Sequence, residues 1–467
     1  MDNLKFKRFN GDISEISEYF KNPQIEFCDI SVGAKYIWRD EFLIDYCISD
    51  DTLIIKESCP DYNDYFYYPM GKNVENALFL IERYCIDRGL PLTFCCIDNK
   101  TAALLSERYP FSRVYNDRNW SDYIYDAEKF KTYSGKKLSG QRNHVNKFRK
   151  NNPDYKFKAV DESDFPRIRE FLSEFERGED FSMWSAQEEE KKVYDYILNF
   201  RKLGNVGGLI ETDGKVVAIS FGERVNDTLI VHVEKGLKSY EGVYPTMASE
   251  FAKAFATDGV KFINREEDCG DMGLRISKLQ YHPVEVKEKN FVRIYTLFDK
   301  IVPPVHIKTA RLVVTDITEN FKNEYFALYT DAEINRYYGY DYREDFKGDV
   351  PDPDYFMDFM KKLKARREEY SLAVTSDGKM IGEIVFYNFD FYGGAETGFR
   401  FFKEQRGKGY AFESVSAAAE YLFSLKARVI RCRAFKENAP SIKLIEKLGF
   451  AKTGESETQY FYEKPRV

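Results

Sequence analysis

Residues 396–411 constrain this chain more than any other stretch. Glu396-Thr397-Gly398-Phe399-Arg400-Phe401-Phe402 is apolar and aromatic enough for a strand, and Arg406-Gly407-Lys408-Gly409-Tyr410-Ala411 is a glycine-punctuated turn. A helix is predicted to follow, because Ala411, Phe412, Val415, Ala418, Ala419, Leu422 and Phe423 recur at helical spacing. A strand, a glycine turn and a helix in this order expose unpaired N–H groups at the positive end of the helix dipole, which suits a pyrophosphate. Gly407 and Gly409 let the backbone approach the phosphates, and Arg406 and Lys408 add positive charge.

Further along, Val429 to Ala434 reads as a strand, and Asn438-Ala439-Pro440-Ser441 opens a short helix closed by Gly449. Arg406, Gly409 and Ala411 fit Arg-x-x-Gly-x-Ala, which resembles the coenzyme A pyrophosphate loop of the GNAT N-acetyltransferases. The run from Asn438 through Ser441 to Gly449-Phe450 is similar to the Asn-x-x-Ser…Gly-Phe signature of the ribosomal-protein N-terminal acetyltransferase branch, and Thr309-Ala310-Arg311-Leu312 resembles that branch's opening strand. The resemblance implies transfer of an acetyl group from acetyl-CoA to a primary amine of a small molecule or peptide, by direct attack and with no metal. It implies cosubstrate binding by Phe399, Arg400, Phe401, Arg406, Gly407, Lys408, Gly409, Tyr410, Ala411 and Asn438. Glu396 is the first candidate for the base that deprotonates the amine, and Glu383 the second. Many such enzymes protonate the departing thiolate from a tyrosine on the last helix; Ile445 stands there, which leaves Ser441, beside Asn438. Asp331 to Tyr342, rich in tyrosine at 337, 338, 340 and 342, falls where the branch places its acceptor loop, with an aromatic core as the plain alternative.

At 467 residues the chain is long enough for two to four domains. Hydrophobic residues at 43% with 31% charged describe a globular protein, and a net charge of −7 argues against general nucleic-acid binding. The N-terminus has no apolar signal core and no run is apolar enough to span a membrane, so the expectation is a cytoplasmic protein. Eight scattered cysteines with no CxxC pair read as buried free thiols, and four histidines speak against a histidine-rich metal centre.

Before the C-terminal third, the segment to about residue 133 mixes strands and helices without a phosphate loop, and reads as a structural lobe. Lys129 to Lys150 holds eight Lys or Arg and no Asp or Glu; it is either a solvated helix face or an anion site for tRNA or another phosphate-bearing ligand. Residues 207–285 repeat the order strand, turn, helix, strand, polar loop. Their turn, however, carries Glu241 and Pro245, so no coenzyme A is expected there. Gly135-Lys136-Lys137-Leu138…Arg142-Asn143-His144 and Ile263-Asn264-Arg265-Glu266-Glu267-Asp268…Gly273-Leu274-Arg275…Lys278…Tyr281-x-Pro283 are similar to the phosphatidylglycerol lysyltransferase C-terminal domain family. Membrane-bound members of that family move an amino acid from charged tRNA to a lipid head group. The resemblance implies two GNAT-like lobes before residue 300. Arg265 to Asp268, Arg275 and Lys278 are then either a site or an ion-pair network. The expected fold is α/β: three GNAT-like lobes, mixed central sheets flanked by helices, divided at 1–133, 134–300 and 306–467. The alternatives to acetyl transfer are an aminoacyl-tRNA-dependent transferase centred on 134–300 and a non-catalytic acetyl-CoA sensor.

Overall fold

A computed structural model describes residues 4–58, 64–176, 184–338, 341–343 and 352–466, with backbone alone at 184–191. The chain forms two compact units, one of residues 1–80, 93–103 and 114–292, the other of 81–92, 104–113 and 293–467. Three mixed sheets flanked by helices carry it, as expected.

Each sheet contains a parallel strand pair joined through a crossover helix. Tyr65–Phe66 and Leu92–Ile97 flank the helix Val74–Ile86 in the first; Thr228–Gly236 and Phe262–Asn264 flank Val243–Phe255 in the second. In the third, Gly394–Phe401 and Val429–Phe435 flank Tyr410–Ser424. The remaining pairings of the second and third sheets are antiparallel, and some neighbouring strands are joined by short turns such as Asp50-Asp51 in the first sheet. There both residues have positive φ, the hairpin geometry that Asp tolerates.

The sheets exchange strands across the expected break at residue 133. Asp122–Asp126 pairs with Phe262–Asn264 and Glu285–Lys287 in the second sheet, whereas Asn290–Ile294 enters the first. Burial explains the first assignment: Tyr123 and Tyr125 point into the second core beside Phe130, Tyr133 and Tyr281.

The third sheet runs in the order His306–Lys308, Val313–Asp316, Glu369–Ser376, Lys379–Tyr387, Gly394–Phe401, Val429–Phe435, Gln459–Pro465, Ala451–Glu455. Thr309–Leu312, expected as a strand, is instead the turn between the first two, closed by Thr309 N–H donating to Leu312 C=O at 2.9 Å. Alternation along the strands splits the apolar residues between two cores. Leu372, Val374, Ile384 and Phe386 pack against Val415, Ala418 and Leu422 of the crossover helix. Ala373 and Met380 face Tyr325, Leu328, Phe356 and Met357, from the helices Lys322–Thr330 and Pro353–Ala365. Ile445 is buried in the first of these cores, which accounts for the missing tyrosine as packing.

Candidate active site

The glycine turn has the conformation its residues suggest. Gly407 and Gly409 have φ of +77° and +80°, a region costly for residues with a Cβ. Gly409 is the N-cap of Tyr410–Ser424 and, among the described residues, no side chain caps that helix, so its first N–H groups and dipole are left for an anion. A Cβ on Gly407 would meet nothing within 4 Å, so the turn is open. Arg311 braces it, donating to Lys408 C=O at 3.0 Å and pairing with Glu413 at 2.7 Å. Lys408 bonds Gln405 at 3.0 Å, and Arg406 lies 3.5 Å from Glu333.

Upstream of the turn the central strands part. Gly394–Phe401 pairs with Val429–Phe435 only from Gly394↔Val429 to Glu396↔Arg431, although both strands continue. Val429–Phe435 keeps its other neighbour over its whole length. From Thr397 onward, the edge facing the gap therefore carries N–H and C=O groups outside any ladder, with the Cys432 thiol reaching Thr397 C=O at 3.2 Å. Phe401 turns its side chain into the core and Phe399 packs against it, so their backbone is what they offer a ligand. Tyr387 and Tyr338 flank Gly398, each within 4 Å of where a Cβ would stand. Of the other loop tyrosines, Tyr337 packs on Phe435 with centroids 5.9 Å apart, Tyr342 joins the Phe356 core, and Tyr340 lies outside the described residues.

Both carboxylates expected as bases are held in ion pairs. Glu396 accepts from Tyr387 OH at 2.8 Å, Asn388 Nδ2 at 3.0 Å and Arg433 Nη2 at 2.6 Å. Burial would raise its pKa, but these bonds outweigh burial and hold it below the usual range, which makes it a weak proton acceptor. Glu383 is fully buried and bonds Arg400 Nε at 2.7 Å. Arg400 also donates to Asn335 Oδ1 at 2.6 Å and lies between the rings of Tyr329 and Tyr338. The Arg400 side chain is thereby committed, leaving its backbone for a cosubstrate. Asn438 caps Ala439–Lys447, its Oδ1 accepting from Ser441 N–H at 3.4 Å, and Ser441 is partly exposed beside it. Glu369, which sequence reasoning passed over, shares the face of Glu383 and Glu396. The signal was available: an acidic residue out of phase with the alternation of Tyr370, Leu372 and Val374 must point away from their core.

The second lobe repeats this topology but closes it. Its parallel pairing also lasts three residues, Thr228↔Phe262 to Ile230↔Asn264. Beyond it, His232 bonds Glu266 at 2.7 Å and Arg265 bonds Glu234 at 2.7 Å across the opening. Gly242, at φ +82°, again precedes the crossover helix, but a Cβ there would overlap the His144 carbonyl of Ser139–Asn151. Asp268 is gripped by Arg275 at 2.8 Å and Tyr123 OH at 2.6 Å, and Lys278 donates to backbone carbonyls of Arg265 and Glu267. These residues form an ion-pair network.

In the basic run, Leu138, Val145 and Phe148 are buried as the spacing predicts. Part of its charge is answered: Lys147 pairs with Glu241 at 2.6 Å, Arg149 with Glu250 at 2.9 Å and Lys131 with Glu128 at 2.7 Å, while Arg142 donates to Gly135 C=O at 2.6 Å.

One cluster has the makings of a metal site. Ligand atoms of Cys28, Asp29, Asp122 and Glu267 lie within 4.8 Å of one another. Lys289 Nζ occupies their centre, 2.5 Å from Asp29, 2.7 Å from Asp122 and 3.1 Å from both Glu267 and Cys28. Burial would lower the ammonium pKa, but Asp122 and Asp29 drive it well up, so the set already holds its cation.

The fold and the open turn define an acyltransferase of the GNAT class. Residues 26–292, more than half of the chain, match the family described as phosphatidylglycerol lysyltransferase, C-terminal, and residues 311–451 match an acetyltransferase (GNAT) domain. The chain belongs to the phosphatidylglycerol lysyltransferase C-terminal family and carries a GNAT acetyltransferase domain after it. It is similar to the uncharacterized N-acetyltransferase YoaA of Bacillus subtilis (strain 168), 28% identical over 159 residues, covering 34% of this chain and 88% of that protein. The uncharacterized N-acetyltransferase p20 of Bacillus licheniformis is 35% identical over 94 residues, 20% of this chain and 53% of that protein. A conserved protein of unknown function from Bacteroides thetaiotaomicron VPI-5482 shares the fold, with a TM-score of 0.58 and 28% identity over 62% of this chain and 100% of its own. Among the described residues no helix is long and apolar enough to cross a membrane.

Proposed function

We propose that residues 306–467 move an acetyl group from acetyl-CoA to a primary amine of a small molecule or peptide, with 1–133 and 134–300 as accessory lobes. The observation that carries this reading is the parting of Gly394–Phe401 from Val429–Phe435 immediately before a doubly left-handed glycine turn and an uncapped helix. The N–H groups of Gly409, Tyr410 and Ala411, with Arg406, Gly407 and Lys408, take the pyrophosphate. The free edge around Phe399 to Phe401, Arg400 included, takes the pantetheine arm and orients the thioester carbonyl near Gly398. Acetyl-CoA supplies the activated acyl group; the chain's own residues align the amine and handle protons. Ser441, at the N-terminus of Ala439–Lys447 and positioned by Asn438, protonates the departing thiolate. Glu396 holds Arg433 and Tyr387 in place at the mouth of the gap.

The test is release of free thiol from acetyl-CoA by the full chain, offered amines, peptides and polyamines. Amine-dependent release is expected, and none across the panel would contradict the reading. Ser441→Ala should lower turnover by about tenfold to a thousandfold while acetyl-CoA affinity stays within twofold or so. Unchanged turnover with chemistry rate-limiting would assign the proton to solvent.

A further inference from the structure

Three carboxylates share the acceptor-side face of the third sheet, and two of them are committed. Register defines that face. Glu369 lies opposite Tyr387 and Tyr387 opposite Glu396, while Glu383 and Arg400 form another cross-strand pair on the same side. The row Glu369–Tyr387–Glu396 ends where Gly394–Phe401 leaves its parallel neighbour, at the mouth of the gap. Glu396 is bound by Arg433, Asn388 and Tyr387, and Glu383 is buried against Arg400. Glu369 is partly exposed and, among the described residues, makes no hydrogen bond or ion pair.

The charges facing Glu369 come from every side of this pocket. Glu383 and Arg400 reach it from the neighbouring strands, and Glu368 from the residue before its own strand. Tyr329, on the helix Lys322–Thr330, and Tyr338, after Ala332–Asn335, both feel its charge. The helix Pro353–Ala365 contributes Phe356, Met357 and Met360 to the core on this face, with Tyr355 packed against it. Burial and the Glu383 charge push the Glu369 carboxyl up to about 7, with Arg400 offsetting part of the rise.

We propose that Glu369 is the base that takes a proton from the acceptor's ammonium group. The inference rests on the acetyltransferase reading above and adds to it the residue that was missing. Two strand spacings, roughly 10 Å, separate the backbones of Glu369 and Glu396, with Tyr387 between them, so the proton reaches Glu369 from the acceptor nitrogen through bridging water. The ammonium gives one proton to the Glu369 carboxylate. The nitrogen lone pair then forms the N–C bond as the C–S bond of the thioester breaks. The second nitrogen proton matches the one that makes the thiolate a thiol, and Glu369 returns its proton to solvent. Ammonium and thioester thus become amide, thiol and one released proton. A base poised near the working pH combines a populated anionic form with enough affinity for the proton.

The experiment compares wild type, Glu369→Gln and Glu369→Asp in the full chain. It measures acetyl-CoA affinity by calorimetry and thiol release across pH, with an alkyl amine that wild type acetylates and with hydroxylamine, which is already neutral at pH 7. Glu369→Gln should bind acetyl-CoA as wild type does and lose about 10²- to 10⁴-fold in kcat toward the alkyl amine. It should lose the rising limb of kcat near pH 7, while its loss toward hydroxylamine is much smaller. Glu369→Asp should keep the limb. Wild-type turnover of the alkyl amine by Glu369→Gln, or equal losses toward both acceptors, would overturn the assignment and leave the acetyltransferase reading standing. A wild-type chain that binds acetyl-CoA but releases no thiol with any amine would sink both.

Discussion

Lys289 shows how a single residue decides what a cluster can be. Three carboxylates and a thiol converge on its ammonium in a site where Asp122 is fully buried, so removing the cation strands charges that water cannot reach. Lys289→Met should destabilise its unit by about 3–5 kcal/mol in urea unfolding; a loss below about 1 kcal/mol would mean the cluster relaxes or protonates freely. Glu369 works in the opposite sense. Its folded pKa, about 7, exceeds the ordinary carboxylate value, so between those two limits the native state holds a proton that the unfolded state has released. Stability therefore falls as pH rises through that window, and above it the folded protein carries a strained charge. Glu369→Gln should melt higher than wild type at pH 8 and close to it at pH 4.5. Equal melting temperatures at pH 8 would contradict the raised pKa. Stability given up for a reactive group is the usual signature of a functional position.

At the scale of elements, the contrast between two glycine turns is the most informative. Gly407 and Gly242 both have positive φ, but open space surrounds the first while the His144 carbonyl covers the second. Gly407→Ala should cost only about 1–2 kcal/mol of backbone strain and register chiefly as weaker acetyl-CoA binding. Gly242→Ala adds a clash with backbone and should destabilise its unit by more; thermal melts of the two variants decide it, and equal costs would argue against the packing described. Sequence showed the open turn well, because glycine spacing, the strand before it and the helical period after it are local properties. The closed turn was legible only through Glu241 and Pro245. What closes it is a helix a hundred residues upstream, and no local pattern announces that contact. The same limit hid the Cys28–Lys289 cluster, whose members span the family-matched region, and the exchange of Asp122–Asp126 and Asn290–Ile294 between sheets. Glu396 and Glu383 share a face with Glu369, but their ion pairing with Arg433 and Arg400 depends on register, which sequence does not show. The basic run shows by its spacing that Leu138, Val145 and Phe148 turn inward. Its partners Glu241 and Glu250 lie far along the chain, so its apparent excess of charge could not be discounted from sequence.

For the whole molecule, one topology is used three times, and its second and third copies differ in whether the gap between the parallel strands is left open. In the third sheet the gap leads to an uncapped helix; in the second it is crossed by His232–Glu266 and Arg265–Glu234, and the helix start is covered. The central claim is therefore that the chain has a single acetyl-CoA site, in residues 306–467. Calorimetric titration of acetyl-CoA into the full chain measures this directly, alongside Gly407→Asp, which adds a negative charge where a side chain meets no neighbour and in a conformation Asp accepts more readily than most residues. The account predicts one acetyl-CoA bound per wild-type chain and none detectable in the variant. Two or more bound per chain, or undiminished binding by Gly407→Asp, would contradict it.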